Sequence, residues 1–388
     1  MKLSKRASSI NPSLTLSITA KAKEMKKQGL DVVSFGAGEP DFDTMIHIKD
    51  AAKQAIDEGF TKYTATAGIT ELREAIAGKL RRDNWLDYKT NQILVSTGAK
   101  QALYEIIMTV VDSGDEVIVP VPYWVSYEEM VKMAGGVSVF IRTRGFKLDP
   151  EDLERAVTPK TKMLILNSPV NPTGAVYDEK DLKKIAAICV KHNIFILSDE
   201  IYEKLVYDKK HVSIASINDK VKGITAVVNG ISKSYSMTGW RLGYVAGPEE
   251  VIKVATRLQD HITSNASSIS QKAALAAIYG PQDHIPKMIW EYKKRRDLMV
   301  EKLNSIEGVI APLPDGAFYV FADVSAYYKG NIKGSIDFCT RLLDEAYVAV
   351  IPGVAFGDDR YVRLSYATGT EHIKRGLERM HKFCGDIE

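Results

Sequence analysis

Lys233 is the side chain whose sequence context most directly suggests chemistry. It follows the apolar run at residues 225–228 and a Gly-Ile-Ser turn. A lysine at the end of a buried strand is partly desolvated, which lowers the pKa of its amine and suits formation of a Schiff base with a carbonyl compound. A surface lysine whose alkyl stem packs on apolar residues would give the same pattern, so this residue alone does not decide between the two interpretations.

Three further charged side chains stand in apolar surroundings. Asp199 ends one apolar run, Arg241 follows Thr-Gly-Trp, and Arg363 lies inside another apolar run. An unpaired carboxylate is costly in such a place, so Asp199 is either a helix N-cap or the partner of a cation such as a protonated ring nitrogen. Buried arginines pair with an anion, which is either a structural carboxylate or the carboxylate or phosphate of a ligand.

Residues 97–99, Thr-Gly-Ala, connect a predicted strand to a predicted helix and could cradle a phosphate. Glycine lets the backbone approach a ligand closely, and the free N–H groups at a helix N-terminus favour an anion. An ordinary helix-capping turn has the same sequence, so the pattern is weak by itself. The Walker pattern GxxxxGK[ST] and the dinucleotide pattern GxGxxG are both absent, which removes the support for an ATP or NAD site.

Strands must position these residues, and short β-branched runs alternate with helical patterns from about residue 91 onward. Strands are predicted at residues 93–95, 116–119, 137–141, 163–166, 194–197, 225–228 and 243–246, and helices at 48–58, 69–83, 99–111, 126–133, 178–191 and 249–261. Near-continuous apolar strands separated by helices indicate an α/β fold with a mostly parallel sheet covered on both faces. Ligands bind beyond the carboxyl ends of such strands, where this chain places polar and ionisable residues, and a site is predicted at that edge.

The pattern changes after about residue 285. A predicted helix at 287–305 is followed by strands at 309–311, 317–322, 348–351 and 361–366 and by helices at 335–346 and 371–383. We interpret residues 48–285 as a large ligand-binding domain, and residues 1–47 together with 286–388 as a smaller α+β domain. The first 45 residues carry no strand pattern and are expected to pack against the small domain.

Composition excludes several classes of protein. Lys and Arg total 52 against 49 Asp and Glu among 388 residues, a net charge of +3, so no basic surface for nucleic acid is expected. The basic run at 293–296 falls within a helical pattern and indicates a solvated helix face. The three cysteines, Cys189, Cys339 and Cys384, are widely separated, which excludes a disulfide framework, and their spacing is not that of metal ligands. No apolar run is long enough for a membrane anchor. We therefore expect a cytoplasmic protein without a metal or a nucleic-acid partner.

Five segments form an ordered set along the chain: GEPDF at 38–42, NSPVNPTG at 167–174, SDEIY at 198–202, SKSYSMTGWRLGY at 232–244 and VRLS at 362–365. Together they resemble the class I/II aminotransferases, which are fold-type-I pyridoxal-phosphate enzymes. The resemblance extends over residues 4–383 and is closest to the aspartate aminotransferases of the bacterial and archaeal type. It implies the fold-type-I transferase fold and pyridoxal 5′-phosphate as the cofactor.

The resemblance also implies a role for each matching residue toward the cofactor ring. Lys233 would bind the cofactor covalently and carry a proton between the substrate Cα and C4′, while Asp199 would keep the pyridine nitrogen protonated. Asn171 and Tyr202 would hydrogen-bond the 3-oxygen. Trp124 would stack on the ring, although a core aromatic is the ordinary interpretation of such a tryptophan.

The phosphate group would be bound by residues of two subunits. They are Gly98, Ala99, Lys100, Ser232, Arg241 and Tyr63 of the partner subunit, and a site shared in this way implies a homodimer. Some relatives place a serine at the position of Gly230, so one phosphate contact is expected to be missing from this chain.

Substrate recognition would begin at the α-carboxylate that all amino acids share. Arg363 would bind it bidentately, assisted by the Gly38 backbone and the Asn171 side chain, with Trp124 alongside. Because this carboxylate identifies only the class of substrate, specificity has to come from other residues.

The distal carboxylate of aspartate would be bound near the N-terminus. Aspartate-preferring relatives use a serine, a threonine and a lysine at the phosphate loop, and this chain has Ser13, Thr15 and Lys100 at those places. A solvated lysine at the start of a helix is the alternative interpretation of Lys100. Asn11 stands where several close relatives carry lysine, which leaves the fine preference, including acceptance of prephenate, open.

The function implied is transfer of an amino group between L-aspartate and 2-oxoglutarate by a ping-pong mechanism, with the N-terminal segment closing over the substrate. A broad-specificity or aromatic aminotransferase, including one that uses kynurenine or prephenate, remains an alternative, as does a C–S β-lyase. A pyridoxal-phosphate-sensing transcription regulator would need a DNA-binding domain ahead of the resemblance, for which the few residues before it leave no room.

Overall fold

The computed structural model describes residues 3–387. In chain order its strands are β1 (Val33–Ser34), β2 (Ile93–Ser96), β3 (Glu116–Val121), β4 (Val137–Arg142), β5 (Thr161–Asn167), β6 (Phe195–Asp199), β7 (Thr225–Gly230), β8 (Gly243–Ala246), β9 (Tyr319–Asp323), β10 (Val348–Ala349), β11 (Ile351–Pro352) and β12 (Tyr361–Ser365). Its α-helices are α1 (Lys5–Ser8), α2 (Leu14–Lys27), α3 (Ile46–Asp57), α4 (Thr70–Asn84), α5 (Ala99–Val110), α6 (Ser126–Ala134), α7 (Pro150–Ala156), α8 (Glu179–His192), α9 (Asp219–Lys222), α10 (Glu249–Ile262), α11 (Ser268–Tyr279), α12 (His284–Asn304), α13 (Ser335–Ala346) and α14 (Thr370–Gly385).

Seven strands form the central sheet in the order β2-β8-β7-β6-β5-β3-β4. β8 runs antiparallel to both of its neighbours, and the other adjacent pairs run parallel. β2, β7 and β8 are buried at every position, as expected of strands with helices on both faces. The mostly parallel α/β sheet predicted from the sequence is confirmed, and the predicted strands are present with ends displaced by at most two residues.

The reversed direction of β8 determines which residues meet at one edge of the sheet. β5 ends at Asn167, β6 ends at Asp199, and Lys233 follows the end of β7. Because β8 runs the other way, its beginning lies at this same edge, and Arg241 comes just before it. A single antiparallel strand therefore brings an arginine to the ends of the parallel strands, where ligands bind.

Two short sheets lie outside the central sheet. β11, β12 and β9 form an antiparallel sheet, and β1 pairs with β10 in parallel. The strand predicted at 348–351 is therefore two strands in different sheets. The strand predicted at 309–311 is wrong, since Ile310 forms only an isolated bridge with Asp323. The expectation of no strand in the first 45 residues is also wrong, because β1 lies there. It was missed because a strand of two residues is too short to show an alternating pattern.

The N-terminal segment and the C-terminal part of the chain share one hydrophobic core. Phe35 from the N-terminal segment packs there with Tyr292 and Phe338. Tyr202 and Leu205, which follow β6, belong to the same core, so it is continuous with the ligand-binding edge of the central sheet. No helix within residues 3–387 combines the length and the apolar character needed to cross a membrane.

Candidate active site

A cavity of about 740 Å³ opens at the edge of the central sheet where the parallel strands end. The sequence-predicted residues that line it are Ser13, Thr15, Gly38, Ala99, Lys100, Trp124, Asn171, Asp199, Tyr202, Ser232, Lys233, Arg241 and Arg363. Gly98 lies directly beside the cavity against Arg241. Tyr63 is 91% exposed and does not line it. The structure thus brings together residues that are up to 350 positions apart in the sequence.

Lys233 lies in the cavity with a perturbed amine. Its Nζ donates a hydrogen bond to the backbone oxygen of Gly38 at 2.5 Å and lies 5.8 Å from the ring centroid of Tyr202. Burial lowers the pKa of Lys233 to about 8, with the positive charges of Arg363 and Arg241 acting in the same direction and Glu39 opposing them. A larger share of the amine is therefore neutral near pH 7 than in an exposed lysine, which suits a nucleophile.

Asp199 is a buried carboxylate whose partners are neutral groups. Tyr127 Oη donates to its Oδ2 at 2.6 Å, and the Ile201 N–H donates to its Oδ1 at 3.3 Å. Burial raises the pKa of Asp199 to about 6, against the opposing effect of these hydrogen bonds. Within residues 3–387 it forms no ion pair, so a cationic ligand group in the cavity would complete its environment.

Tyr127 is a site residue that the sequence reasoning missed. It is fully buried, and its ring meets that of Trp124 edge to face at 5.4 Å between centroids. The available signal was spacing, since Tyr127 follows Trp124 by three residues at the turn that leads into α6, where the Tyr127 N–H donates to the Trp124 oxygen at 3.0 Å. If Trp124 stacks on a ligand ring, Tyr127 at the start of α6 is in place to contact the group beside that ring.

The predicted phosphate cradle is formed by the start of α5 and the residues around it. Gly98 has φ +82°, and a Cβ there would lie 2.5 Å from Arg241 Nη2. A Cβ at Gly243 would lie 2.2 Å from the Ala99 nitrogen. Both positions therefore require glycine for the arginine and β8 to approach the helix start. The first backbone N–H groups of α5 have no partners within the helix, and together with the guanidinium they suit a phosphate.

A chain of polar side chains that the sequence analysis did not predict supports this cradle. Gln101 Oε1 accepts from the Thr97 N–H at 2.6 Å, and Gln101 Nε2 donates to Glu105 Oε1 at 2.8 Å. Burial raises the pKa of Glu105 to about 8, so its carboxyl group is largely protonated at neutral pH. The chain fixes the loop at residue 97 without placing a negative charge beside the phosphate position.

β7 and β8 lie close together at Gly230. A Cβ there would lie 3.0 Å from the Gly243 Cα and 3.1 Å from the Leu242 oxygen. A side chain at this position would therefore need its neighbours to shift by a few tenths of an ångström.

Arg363 extends from β12 into the cavity and is buried. Its Nη1 donates to Asn171 Oδ1 at 3.1 Å and its Nη2 to the Gly36 oxygen at 3.0 Å, while its buried Nε has no partner in the described structure. Burial lowers the pKa of Arg363. No carboxylate within residues 3–387 forms an ion pair with this guanidinium, which leaves its charge available to an anionic ligand.

Polar side chains from the N-terminal segment and a lysine from the start of α5 also line the cavity. Ser13 and Thr15 hydroxyls are 2.8 Å apart, and Lys100 Nζ lies 4.9 Å from the Trp124 ring centroid. Burial, and secondarily the charge of Arg241, lowers the pKa of Lys100. Asn11 does not line the cavity, and its side chain donates to Glu129 at 3.1 Å.

A second polar cluster lies behind the segment that carries Asp199 and Tyr202. Ligating atoms of Glu200, Glu203 and His211 lie within 4.8 Å of one another, so this group could in principle hold a metal. Lys79 already pairs with Glu203, and two serine hydroxyls and His211 contact Glu200. These contacts satisfy both carboxylates, and we interpret the cluster as the anchor of this segment.

The fold and the site define the class of protein. A lysine, a buried aspartate, a phosphate cradle and an unpaired arginine converge at one end of the sheet, and residues 30–380 match the family described as aminotransferase class I and II. The chain belongs to this family, as the sequence motifs predicted, and it is a pyridoxal-phosphate-dependent aminotransferase.

Individual relatives are similar over almost the entire chain. The chain is 48% identical over 388 residues to an aspartate aminotransferase of Geobacillus stearothermophilus, covering 99% of each sequence. It is 50% identical over 391 residues to a probable aspartate/prephenate aminotransferase of Aquifex aeolicus, again covering 99% of each. Its structure is similar to the aspartate aminotransferase of Thermus thermophilus with maleate, with a TM-score of 0.95 and 44% identity over 98% of this chain and 99% of that one.

The residues around the cavity fit pyridoxal phosphate. The buried Asp199 lacks an ion-pair partner that a protonated pyridine nitrogen would supply. The cradle at Gly98 and Gly243 is kept open by the absence of side chains and faces the Arg241 guanidinium. Lys233 lines the same cavity and has a lowered pKa, which favours attachment to an aldehyde.

Proposed function

We propose that this enzyme transfers the amino group between L-aspartate and 2-oxoglutarate by a ping-pong mechanism. The observation that carries the proposal is a single cavity lined both by the unpaired Arg363 and by Lys100, together with the hydroxyls of Ser13 and Thr15. A dicarboxylic amino acid has one carboxylate for each of these two cations, and the aspartate aminotransferases named above support the assignment.

Pyridoxal phosphate, when bound, supplies an electron sink for the negative charge that develops at the substrate Cα. Asp199 would hold the proton on the pyridine nitrogen, and Asn171 and Tyr202 would donate to the 3-oxygen. Trp124 would lie against the ring face. The phosphate would be held by the Gly98, Ala99 and Lys100 backbone, by Ser232 and by Arg241.

Lys233 would have two tasks. Its amine would hold the cofactor covalently until substrate arrives. It would then remove the proton from the substrate Cα and deliver it to C4′ of the cofactor. The lowered pKa supports both tasks, because the neutral amine is the nucleophile and the base. The Gly38 carbonyl, which accepts from Nζ at 2.5 Å, would orient the amine in the absence of substrate.

Arg363 would orient the substrate through its α-carboxylate. A bidentate contact fixes the plane of the carboxylate and with it the direction of the Cα–H bond toward Lys233. Asn171 and the Gly36 carbonyl already hold the guanidinium in a defined plane. Gly38 would contribute its backbone on the same side.

Lys100→Ala tests the assignment of the distal carboxylate. We expect kcat/KM for aspartate to fall about 10- to 100-fold, since a charge-assisted hydrogen bond contributes roughly 1.5–3 kcal/mol. For phenylalanine it should change less than about threefold, because an aromatic side chain has no group for the ammonium to bind. Lys100→Met is the matched control, since it keeps an alkyl stem on Trp124 and removes only the charge. Equal losses for aspartate and phenylalanine would assign Lys100 to cofactor binding and favour the aromatic alternative.

We also propose a division of the chain into two functional parts. Residues 48–285 would hold the cofactor, and residues 1–47 with 286–388 would form the small domain. The boundaries fall close to the starts of α3 and α12, and the shared core of the N-terminal and C-terminal parts supports them. Movement of the small part would bring Ser13 and Thr15 over the substrate and exclude water.

The active enzyme is proposed to be a homodimer in which Tyr63 reaches the phosphate bound by the partner subunit. Its 91% exposure and its absence from the cavity of its own subunit support an intersubunit role. Refolding or coexpressing equal amounts of Tyr63→Ala and Lys233→Ala chains should restore activity to about a quarter of wild type, since half of the dimers then hold one unaltered site. Activity that never exceeds that of Tyr63→Ala alone would contradict a shared site.

We propose that the enzyme is located in the cytoplasm, which is a reducing compartment. Cys189, Cys339 and Cys384 are all free and buried. Burial raises the pKa of Cys189 and of Cys384 to about 12, so these thiols are unreactive at physiological pH.

A further inference from the structure

We propose that Tyr319 is a positioning residue that links the substrate-binding Arg363 to Tyr202 and strengthens the hydrogen bond that the Tyr202 hydroxyl donates to the cofactor. The inference rests on the proposed function, since it takes Arg363 and Tyr202 in the roles given above. Tyr319 had no part in the sequence predictions, although it lines the cavity.

Sheet register places Tyr319 beside Arg363. β9 and β12 are antiparallel, with Tyr319 opposite Ser365 and Phe321 opposite Arg363. Side chains two positions apart along a strand share a face, so Tyr319 and Arg363 are diagonal neighbours on one face of this sheet. The Arg363 Cζ lies 4.4 Å from the Tyr319 ring centroid. The ring therefore forms one wall of the space in which the guanidinium can move.

The hydroxyl of Tyr319 lies against groups assigned to catalysis. It is 2.8 Å from the Tyr202 hydroxyl, and both side chains are buried. A Cβ added at Gly38 would lie 3.3 Å from it, which places it beside the backbone whose carbonyl accepts from Lys233. One residue of the three-stranded sheet thus contacts the tyrosine, the arginine and the backbone segment around the reacting centre.

The direction of the tyrosine pair follows from the number of protons available. Burial raises the pKa of both hydroxyls, so both remain neutral and each has one proton to donate. If Tyr202 gives its proton to the cofactor oxygen, the hydrogen bond between the tyrosines can form only with Tyr319 as donor. Donation to the Tyr202 oxygen polarises its O–H bond, and hydrogen bonds in such a chain strengthen one another.

A simple packing role is separable from this one. The Tyr319 ring packs on Phe318 at 4.7 Å and meets Tyr202 edge to face at 5.9 Å. Tyr319→Phe keeps these contacts and the ring beside Arg363, and removes only the hydroxyl. Tyr366→Phe is the matched control, because Tyr366 is a buried tyrosine of the same core whose hydroxyl donates to another tyrosine, Tyr207, at 2.9 Å, and it does not line the cavity.

The test is a pH titration of the cofactor absorbance in the holoenzyme without substrate. A donor to the cofactor oxygen stabilises the negative charge left there when the lysine–cofactor linkage loses its proton, so weakening that donor should raise the apparent pKa of the linkage. We expect Tyr319→Phe to shift the equilibrium between the neutral and the protonated linkage about threefold toward the protonated form. Tyr202→Phe should shift it further, and Tyr366→Phe should titrate like wild type.

A variant that carries both Tyr319→Phe and Tyr202→Phe makes the test decisive. Because Tyr319 is proposed to act through Tyr202, adding Tyr319→Phe to Tyr202→Phe should produce no further displacement of the titration. A Tyr319→Phe titration that coincides with wild type, or an effect of equal size with and without Tyr202, would overturn the proposal. The titration contains no amino acid, so its outcome does not depend on which substrate the enzyme uses. If the Tyr319→Phe titration is displaced as expected but wild type fails to respond to aspartate in a separate assay, the role of Tyr319 is supported and the proposed substrate is contradicted.

Discussion

Lys233→Ala is expected to lower kcat with aspartate by at least about 10⁴-fold, the upper range for loss of a positioned base, because no other amine of the cavity can replace it. Of the other lysines that line the cavity, Lys23 and Lys26 belong to α2, and Lys100 lies over Trp124 at the start of α5. Steady-state kinetics with aspartate and 2-oxoglutarate would measure this loss. Cofactor binding should persist without a covalent bond, since the cradle, Asp199 and the ring contacts remain.

Two controls distinguish the loss of the nucleophilic amine from the loss of the positive charge. Lys233→Arg retains a cation but cannot form the covalent bond, and it should be as inactive as the alanine variant. After borohydride reduction of the loaded enzyme, mass spectrometry should find the cofactor on the Lys233 peptide in wild type and on no peptide in either variant. Activity within tenfold of wild type in Lys233→Arg, or cofactor attached to another lysine, would refute the assignment.

Arg363→Lys is expected to lower kcat/KM by roughly 10²- to 10³-fold, because a point charge cannot reproduce the paired, planar contact to a carboxylate. Every amino acid carries the α-carboxylate, so the loss should be similar for aspartate and phenylalanine. This pattern differs from that of Lys100→Ala, which should affect aspartate alone. The two variants together therefore assign each of the two cations to one carboxylate of the substrate.

Arg360→Ala is the matched control for Arg363. Arg360 lies three residues earlier, and its exposed guanidinium pairs with Asp358. We expect kinetics within about twofold of wild type, since surface ion pairs contribute little to either stability or binding. Wild-type kcat/KM in Arg363→Lys, or an equal loss in Arg360→Ala, would show that the α-carboxylate binds elsewhere.

The sequence predicted the central sheet well because its strands are nearly continuous apolar runs of four to seven residues. Those runs locate the strand ends and with them Lys233 and Asp199, whereas Asn171 was identified through the resemblance of its segment to a known family. The position of Arg241 depends on the reversed direction of β8, which no local pattern reveals. Its placement at the cavity came from the resemblance of its segment to a known family.

The missed elements share a physical reason, which is the lack of a local signal. β1 has only two residues, and α11 is buried on several sides, so it has no clear polar face. Tyr127 and Tyr319 act through hydrogen bonds between distant segments. Such contacts are set by tertiary packing, and only the folded coordinates show them.

The absorbance spectrum of the holoenzyme, recorded before aspartate, after aspartate and again after 2-oxoglutarate, is the most direct test of the proposed function. We expect excess aspartate to convert the bound cofactor to its amine form and 2-oxoglutarate to restore the starting spectrum. A spectrum that ignores aspartate but responds to an aromatic amino acid would contradict the assignment of Lys100, Ser13 and Thr15 to the distal carboxylate. A protein that shows no lysine-bound cofactor even with added pyridoxal phosphate would contradict the role of Lys233.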